Sequence, residues 1–227
     1  MPDGPFVAIG DIHGRADLMH DLLSRVDPKS CKRIVFLGDY VDRGPQSAQV
    51  LAHLHKTSRQ RDAQVICLKG NHEQMMLDFI DDPLGQGALW LMNGGINTLE
   101  SYGIKIPAQS DDLVAVSDAL EAAMPQGLLD WLRALPLRWQ SGNVWCVHAG
   151  MDPNAPPTSQ RSHVMIWGHP SFLNTPRHDG TWVIHGHTIC RKPFIGASRI
   201  CIDTGAYRSD QLTAACISTG ECSFVAT

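Results

Sequence analysis

Several features are missing from this 227-residue chain, and each absence removes a class of function. No apolar run approaches the roughly 20 residues that span a bilayer as a helix, so an integral membrane protein is not expected. The opening Met1-Pro2-Asp3-Gly4-Pro5 lacks a basic segment, and the apolar stretch Phe6 to Ile9 is too short for a secretory leader, so export is not expected either. Without a Gly-Lys pair there is no phosphate-cradling loop of the nucleoside-triphosphatase type. No cysteine has an arginine six residues on, Cys201 and Arg208 missing by one, which sets aside cysteine-based phosphoester hydrolysis. The seven cysteines include no CxxC pair. Cys67, Cys146, Cys201 and Cys216 sit in apolar, strand-like runs, as buried thiols of a reducing cytoplasm do. Positive charge is not in excess: 19 Lys plus Arg against 23 Asp plus Glu leave −4, with no concentrated basic patch for nucleic acid or an acidic membrane. Repeats and low-complexity tracts are absent.

What is present is an ordinary globular composition, 43% hydrophobic and 19% charged, at a length that fits one domain over 1–227. Phe6 to Ile9, Ile34 to Leu37 and Val65 to Leu68 are short continuous apolar runs. Between them, Leu18, Leu22 and Val26, then Val50, Leu51 and Leu54, recur at helical spacing, giving a βαβαβ opening. Strands apolar on both faces imply a parallel sheet covered by helices. A helical insertion is expected over about 81–140. Short strands follow at Val144 to Val147, Trp182 to Ile184, Ile200 to Ile202, Leu212 to Ile217 and Cys222 to Ala226, with a long ordered loop over 151–178.

Eleven histidines are the unusual entry in the composition, and several fall where apolar runs stop. The first three runs end in GDIHG (Gly10 to Gly14), GDYVDRG (Gly38 to Gly44) and GNHE (Gly70 to Glu73); later ones end in His148-Ala149-Gly150 and His185-Gly186-His187. Ligands bind at the carboxyl ends of strands in open α/β sheets, so these segments should converge. Carboxylate, amide oxygen and imidazole together suit manganese, iron or zinc, with Asp39 as the natural bridge between two ions. Turn formation alone does not account for histidine at four strand ends. His20, His53 and His55 fall on helix-like stretches, and His163 and His178 on loops, where no role is expected. Met75, Met76, Phe79, Trp90 and Met92 read as core, and Asp81-Asp82 and Asp111-Asp112 as helix-start or loop acids.

GDIHG, GDYVDRG and GNHE in order, with HAG, GHT, the stretch Trp90 to Gly95, Ser101-Tyr102-Gly103 and Ile202-Asp203-Thr204-Gly205-Ala206, make the chain resemble the phosphoprotein phosphatase branch of the calcineurin-like metallophosphoesterases. At this length it is similar to the small bacterial and phage serine/threonine phosphatases, with the symmetrical diadenosine tetraphosphatases as a sister group. The resemblance implies an α/β fold, a two-sheet β sandwich flanked by helices (αββα). It implies one divalent ion, manganese for preference, on Asp11, His13 and Asp39, and a second on Asp39, Asn71, His148 and His187. Direct attack by a shared hydroxide would follow, with no covalent phosphoenzyme. His72 with Asp42 would be the acid dyad, and Arg43 would hold the phosphate. The substrate implied is a phosphorylated protein or small phosphoester, and the enzyme is expected to be cytoplasmic and monomeric.

Two departures stand out. After Trp167 relatives carry a second phosphate-binding arginine where this chain has His169, which is shorter and only partly charged near neutral pH. Either phosphate is held less tightly or Arg161, Arg177 or Arg191 substitutes. At His185 relatives tend to have an apolar or aromatic residue, and a packed strand-end histidine is one reading, an outer role at the metal site the other. Two alternative functions remain open at this point: hydrolysis of a dinucleoside polyphosphate, and a non-catalytic dimetal scaffold.

Overall fold

Four consecutive apolar residues form the first strand, β1 (Phe6–Ile9), and all four are buried. In the computed structural model, which describes residues 1–26, 33–60, 64–105 and 112–227, alternate side chains of this strand enter different cores. Val7 and Ile9 pack with helix residues Leu22, Leu51 and Leu54, whereas Phe6 and Ala8 pack with Val144, Cys146, Ile184 and Ile200 of a second sheet. The continuous apolar pattern thus reports burial on both faces, but only one face is covered by helices. At about 1.5–3 kcal/mol for each fully buried large aliphatic or aromatic side chain, both faces contribute to holding the strand in place.

The βαβαβ opening continues with α1 (Ala16–Arg25), β2 (Ile34–Phe36), α2 (Ser47–Ser58) and β3 (Val65–Cys67), the three strands pairing in parallel. Helices α3 (Asn71–Asp81), α4 (Pro83–Trp90), α5 (Ile96–Ser101), α6 (Leu113–Ala123) and α7 (Leu128–Arg133) follow. Asp82 and Asp112 cap α4 and α6 by accepting the Gly85 and Ala115 amides, at 3.0 Å each; Asp111 lies outside the described residues. The second sheet is built from β4 (Arg138–Ser141), β5 (Val144–Val147), then, after α8 (Ser162–Trp167), β6 (Trp182–His185), β7 (Phe194–Gly196) and β8 (Arg199–Cys201). After α9 (Ala206–Ser209) the chain returns to the first sheet as β9 (Thr213–Ser218) and β10 (Glu221–Ala226), giving strand orders β10-β9-β1-β2-β3 and β4-β5-β6-β8-β7.

The architecture is α/β, two mixed sheets with flanking helices. The helical stretch ends at Arg133, and β4 already occupies part of the range expected to be helical. β7 and α8 have no counterpart in the sequence reading: β7 is three residues of an exposed edge, and α8 lies within the stretch read as loop. Between α4 and α5 the residues Leu91–Gly95 form a kinked turn in which Gly94 adopts φ 106°. A side chain there would strike the Arg43 backbone, and the Gly94 carbonyl accepts the Arg43 amide at 3.2 Å, so the kink sets GDYVDRG against the helices. Among the described residues no helix is long and apolar enough to cross a membrane.

Candidate metal centre

The turns after β1, β2, β3, β5 and β6 meet at Asp39. Its Oδ2 lies 3.5 Å from His13 Nε2 and 3.9 Å from His72 Nε2; its Oδ1 lies 3.3 Å from His148 Nε2 and accepts the His72 amide at 3.1 Å. The two oxygens therefore face two compact groups of donors, His13, Asp39 and His72 on one side and Asp39, His148 and His187 on the other. Asn71 Oδ1 completes the second, 2.9 Å from both His148 Nε2 and His187 Nδ1. Among the described residues eight non-glycine residues have positive φ, and five of them are here: His13, Asp39, Asp42, Arg43 and His187. Backbone strain of this kind persists where the surrounding structure over-determines it, and it collects at functional sites.

Two backbone carbonyls decide which ring nitrogens face inward. His13 Nδ1 donates to the Val41 carbonyl at 2.8 Å and His148 Nδ1 to the Leu37 carbonyl at 3.0 Å, leaving both Nε2 lone pairs directed at Asp39. For His148 this sets lone pairs against carboxylate and amide oxygens, an arrangement that a shared cation resolves. In the present structure the Arg43 guanidinium supplies positive charge to the other side, donating to His13 Nε2 at 3.0 Å. Burial pushes His13 down to about 3 and His148 to about 4, and also lowers His187, so all three imidazoles are neutral, as ligands must be. Burial alone would raise Asp39, but in the acid range where it titrates the charge on protonated His148, His72 and His13 outweighs burial, so the carboxyl lies well below its usual range. Neutral imidazoles, an ionised bridging carboxylate and an amide oxygen fit borderline divalent cations.

His72 behaves differently from its neighbours. Its Nδ1 is 2.6 Å from Asp42 Oδ2, and although burial lowers its pKa, Asp39 and the hydrogen bond to Asp42 raise it overall. Asp42 is itself buried, which pushes its carboxyl up, and it is held by Trp90 Nε1 and by the Thr98 hydroxyl, which donates to Oδ1 at 2.7 Å. Glu73 receives four amides: Asp39 and Gly70 on Oε2, at 2.8 and 2.9 Å, and Tyr40 and Val41 on Oε1, at 2.7 and 3.3 Å. It therefore fixes the loop that carries Asp39, and burial raises it to about 7. The Arg43 guanidinium sits 4.8 Å over the Tyr207 ring, beside a cavity of about 370 Å³. From the sequence Trp90 reads only as a core residue, and Glu73 and Thr98 carry no role, although Glu73 and Trp90 stand inside the motifs; Tyr207 has no signal beyond following the Ile202 to Ala206 segment.

Asp11 belongs to the cluster without standing in either compact group. Its carboxylate accepts the His187 amide, at 3.0 Å to Oδ2, and Gly186 is required because a Cβ there would collide with that carboxylate. His169 is half-buried: its Nδ1 accepts the Ser171 amide at 3.2 Å and its Nε2 lies 3.9 Å from Asp152 Oδ2. Arg177 is committed elsewhere, donating to the Asp152 and Ala155 carbonyls at 2.9 Å and pairing with Asp179, while Arg161 and Arg191 are exposed. His185 is a packed histidine, edge-on to Phe172 at 4.9 Å. His20 and His53 meet each other at 3.3 Å, and Asp203 closes its own turn by accepting the Gly205 amide at 2.8 Å. Of the residues read as core, Met75, Met76, Phe79 and Trp90 are buried, but Met92 is 87% exposed because it rides on the outer side of the kinked turn. Cys216 is half-buried rather than buried.

The chain has relatives among known proteins. Over 215 residues the chain is 31% identical to serine/threonine-protein phosphatase 1 of Salmonella typhimurium, covering 91% of this chain and 89% of that protein. It is 34% identical over 147 residues to the symmetrical bis(5'-nucleosyl)-tetraphosphatase of Chromobacterium violaceum, covering 64% of this chain and 43% of that protein, so it spans less than half the tetraphosphatase's length. The fold superposes on the crystal structure of a metallophosphoesterase from Sphaerobacter thermophilus with a TM-score of 0.61 at 17% identity, over 99% of this chain and 88% of that one. The calcineurin-like phosphoesterase model matches residues 4–191, a span that begins just before β1 and takes in every strand-end turn that meets at Asp39; the chain belongs to that family.

Proposed function

We propose that this phosphoesterase hydrolyses phosphoserine and phosphothreonine monoesters in proteins, with Asp39 bridging two divalent cations, manganese by preference. The observation that carries the reading is the division of labour among the buried imidazoles: His13 and His148 are held neutral with Nε2 lone pairs inward, while His72 alone is biased toward its charged form by Asp39 and Asp42. In this reading His13 and Asp39, with Asp11 adjoining, hold one cation, and Asp39, Asn71, His148 and His187 the other. When bound, the cations polarise phosphoryl oxygens and lower the pKa of water so that a nucleophile exists at neutral pH. His72 donates the proton on Nε2 to the departing alkoxide oxygen, and Asp42 on Nδ1 orients the ring and stabilises its charged form. Arg43 offers a planar two-point contact to the phosphate once it leaves His13 Nε2.

The end-to-end likeness to a protein named a serine/threonine phosphatase supports a protein substrate, whereas the likeness to a tetraphosphatase supports a dinucleoside polyphosphate as the second reading. Incubating the manganese-loaded protein with a phosphopeptide and with diadenosine tetraphosphate separates them. Faster turnover of the peptide is expected; preference for the nucleotide by roughly a hundredfold or more, the range that pocket contacts provide, would overturn it. A scaffold role would show as no hydrolysis of any phosphoester, unchanged by His72→Ala.

A further inference from the structure

Among the six described cysteines, two sit in direct contact just behind the His187 turn. Cys190 Sγ and Cys201 Sγ are 3.4 Å apart although the residues are 11 positions apart in the chain. They flank the β7–β8 hairpin: Cys201 ends β8, and the Cys190 amide donates to the Asp203 carbonyl at 2.9 Å, which clamps the segment after His187 beside that strand end. Both thiols are used as donors, Cys190 Sγ to the Asp203 carbonyl at 3.1 Å and Cys201 Sγ to the Thr188 carbonyl at 3.2 Å. Cys190 is half-buried and Cys201 is 6% exposed, so an oxidant reaches the first and not the second.

We infer that Cys190 and Cys201 are a peroxide-oxidisable dithiol whose disulfide loosens the turn carrying His187. Cys190 is the attacking sulfur and Cys201 the resolving one. Contact with the neighbouring Cys201 sulfur lowers the Cys190 thiol, whereas Cys201 is pushed up. The Cys190 thiolate attacks one oxygen of hydrogen peroxide, the O–O bond breaks, and the departing hydroxide takes up the released proton as water, leaving a sulfenic acid. Cys201 sulfur then attacks the Cys190 sulfur, the S–O bond breaks, and the Cys201 proton leaves with that oxygen as a second water. Two thiols and one peroxide become a disulfide and two waters. The sulfurs must close from 3.4 Å to about 2.05 Å, and the disulfide has no S–H to offer the Asp203 and Thr188 carbonyls. Thr188 follows His187 directly, and the His187 amide is the one that Asp11 accepts, so the lost donors and the inward pull fall on the second donor group. This coupling rests on the metal reading above; the disulfide does not.

The two cysteines fall in separate tryptic peptides, residues 178–191 and 200–208. Purified full-length protein treated with hydrogen peroxide and then alkylated should yield these peptides cross-linked and lighter by two hydrogens, separable by dithiothreitol. Cys190→Ser should abolish the link, and Cys201→Ser should leave a sulfenic acid on Cys190 that dimedone captures. Full alkylation of both cysteines after peroxide, or a link that joins other cysteines, would overturn the site. Oxidised protein should bind manganese about tenfold more weakly than reduced protein in a thermal-shift titration, as loss of groups supporting a ligand does, with Cys190→Ser insensitive to peroxide. A disulfide that forms without moving the manganese titration would overturn the coupling; absence of any manganese shift in reduced protein would instead count against the metal reading.

Discussion

The indole Nε1 of Trp90 donates to both oxygens of the Asp42 carboxylate, at 3.1 and 3.0 Å. With the Thr98 hydroxyl on Oδ1 and the His72 ring on Oδ2, the carboxylate has all of its directions filled, and each partner is buried. A buried carboxylate that is this thoroughly hydrogen-bonded can stay ionised where burial alone would protonate it, and its charge is then available to His72. Trp90 and Thr98 both come from the helices after GNHE, so that region completes the surroundings of the proposed acid dyad.

Trp90→Phe keeps an aromatic ring beside Phe79 and removes the N–H together with the pyrrole part of the indole. Losing one hydrogen bond to a charged group, about 1.5–3 kcal/mol, should lower kcat roughly tenfold or more while KM stays near the parent value. His72→Ala should cost about 10²–10⁴ in kcat. Steady-state kinetics on a phosphopeptide compare the two; a Trp90→Phe enzyme whose KM rises with kcat intact would assign Trp90 to substrate binding instead.

Asp39 touches donors of both groups, so in the proposed reading its charge would serve both cations. Manganese at a hundred times its dissociation constant should add about 2.7 kcal/mol to the stability of the parent protein, and a chelator should remove the gain. Asp39→Asn should abolish most of that thermal shift. An undiminished manganese shift in the variant would contradict a bridging role.

The parts of the site that could be read in the sequence are those that end an apolar run. Asp11, His13, Asp39, Asn71, His148 and His187 each follow a strand within a few residues, and parallel strands bring their carboxyl ends together whatever lies between. Trp90 and Asp42 are 48 residues apart and joined by a single side-chain contact, so no spacing announces the pair. Glu73 stands within GNHE, but its task is to accept main-chain amides, which any folded loop provides and no pattern encodes. The strand pattern has the same limit. Val7 and Phe6 are equally buried, and nothing in their identity says that one meets helices and the other a second sheet.

Glu73→Gln tests whether the Asp39 loop depends on that acceptor. A glutamine has one carbonyl oxygen, so its NH₂ must point at one pair of amides, either those of Asp39 and Gly70 or those of Tyr40 and Val41. Leaving buried donors facing donors costs about 1–3 kcal/mol. The urea midpoint should fall accordingly with the m-value unchanged, since the surface exposed on unfolding is the same. A midpoint equal to that of the parent would show that the loop is held without Glu73.

His169 stands where the family resemblance implies a second phosphate-binding arginine, and of the arginines that could substitute for it Arg177 is not free to do so. Arg177 is fixed by the Asp152 and Ala155 carbonyls and by Asp179, in the wall of the 151–178 segment. His169 itself is turned toward Asp152 and the Ser171 amide. His169→Arg should therefore supply a contact the present site lacks, and an arginine can reach further and bind phosphate at two points. KM for a phosphopeptide should fall by roughly tenfold, about 1.4 kcal/mol of added binding, with kcat little changed. The same change in KM for a substrate without a phosphoryl dianion would mean the arginine acts through general charge rather than at the phosphate. An unchanged KM for every phosphorylated substrate would mean that position 169 does not face the phosphate at all.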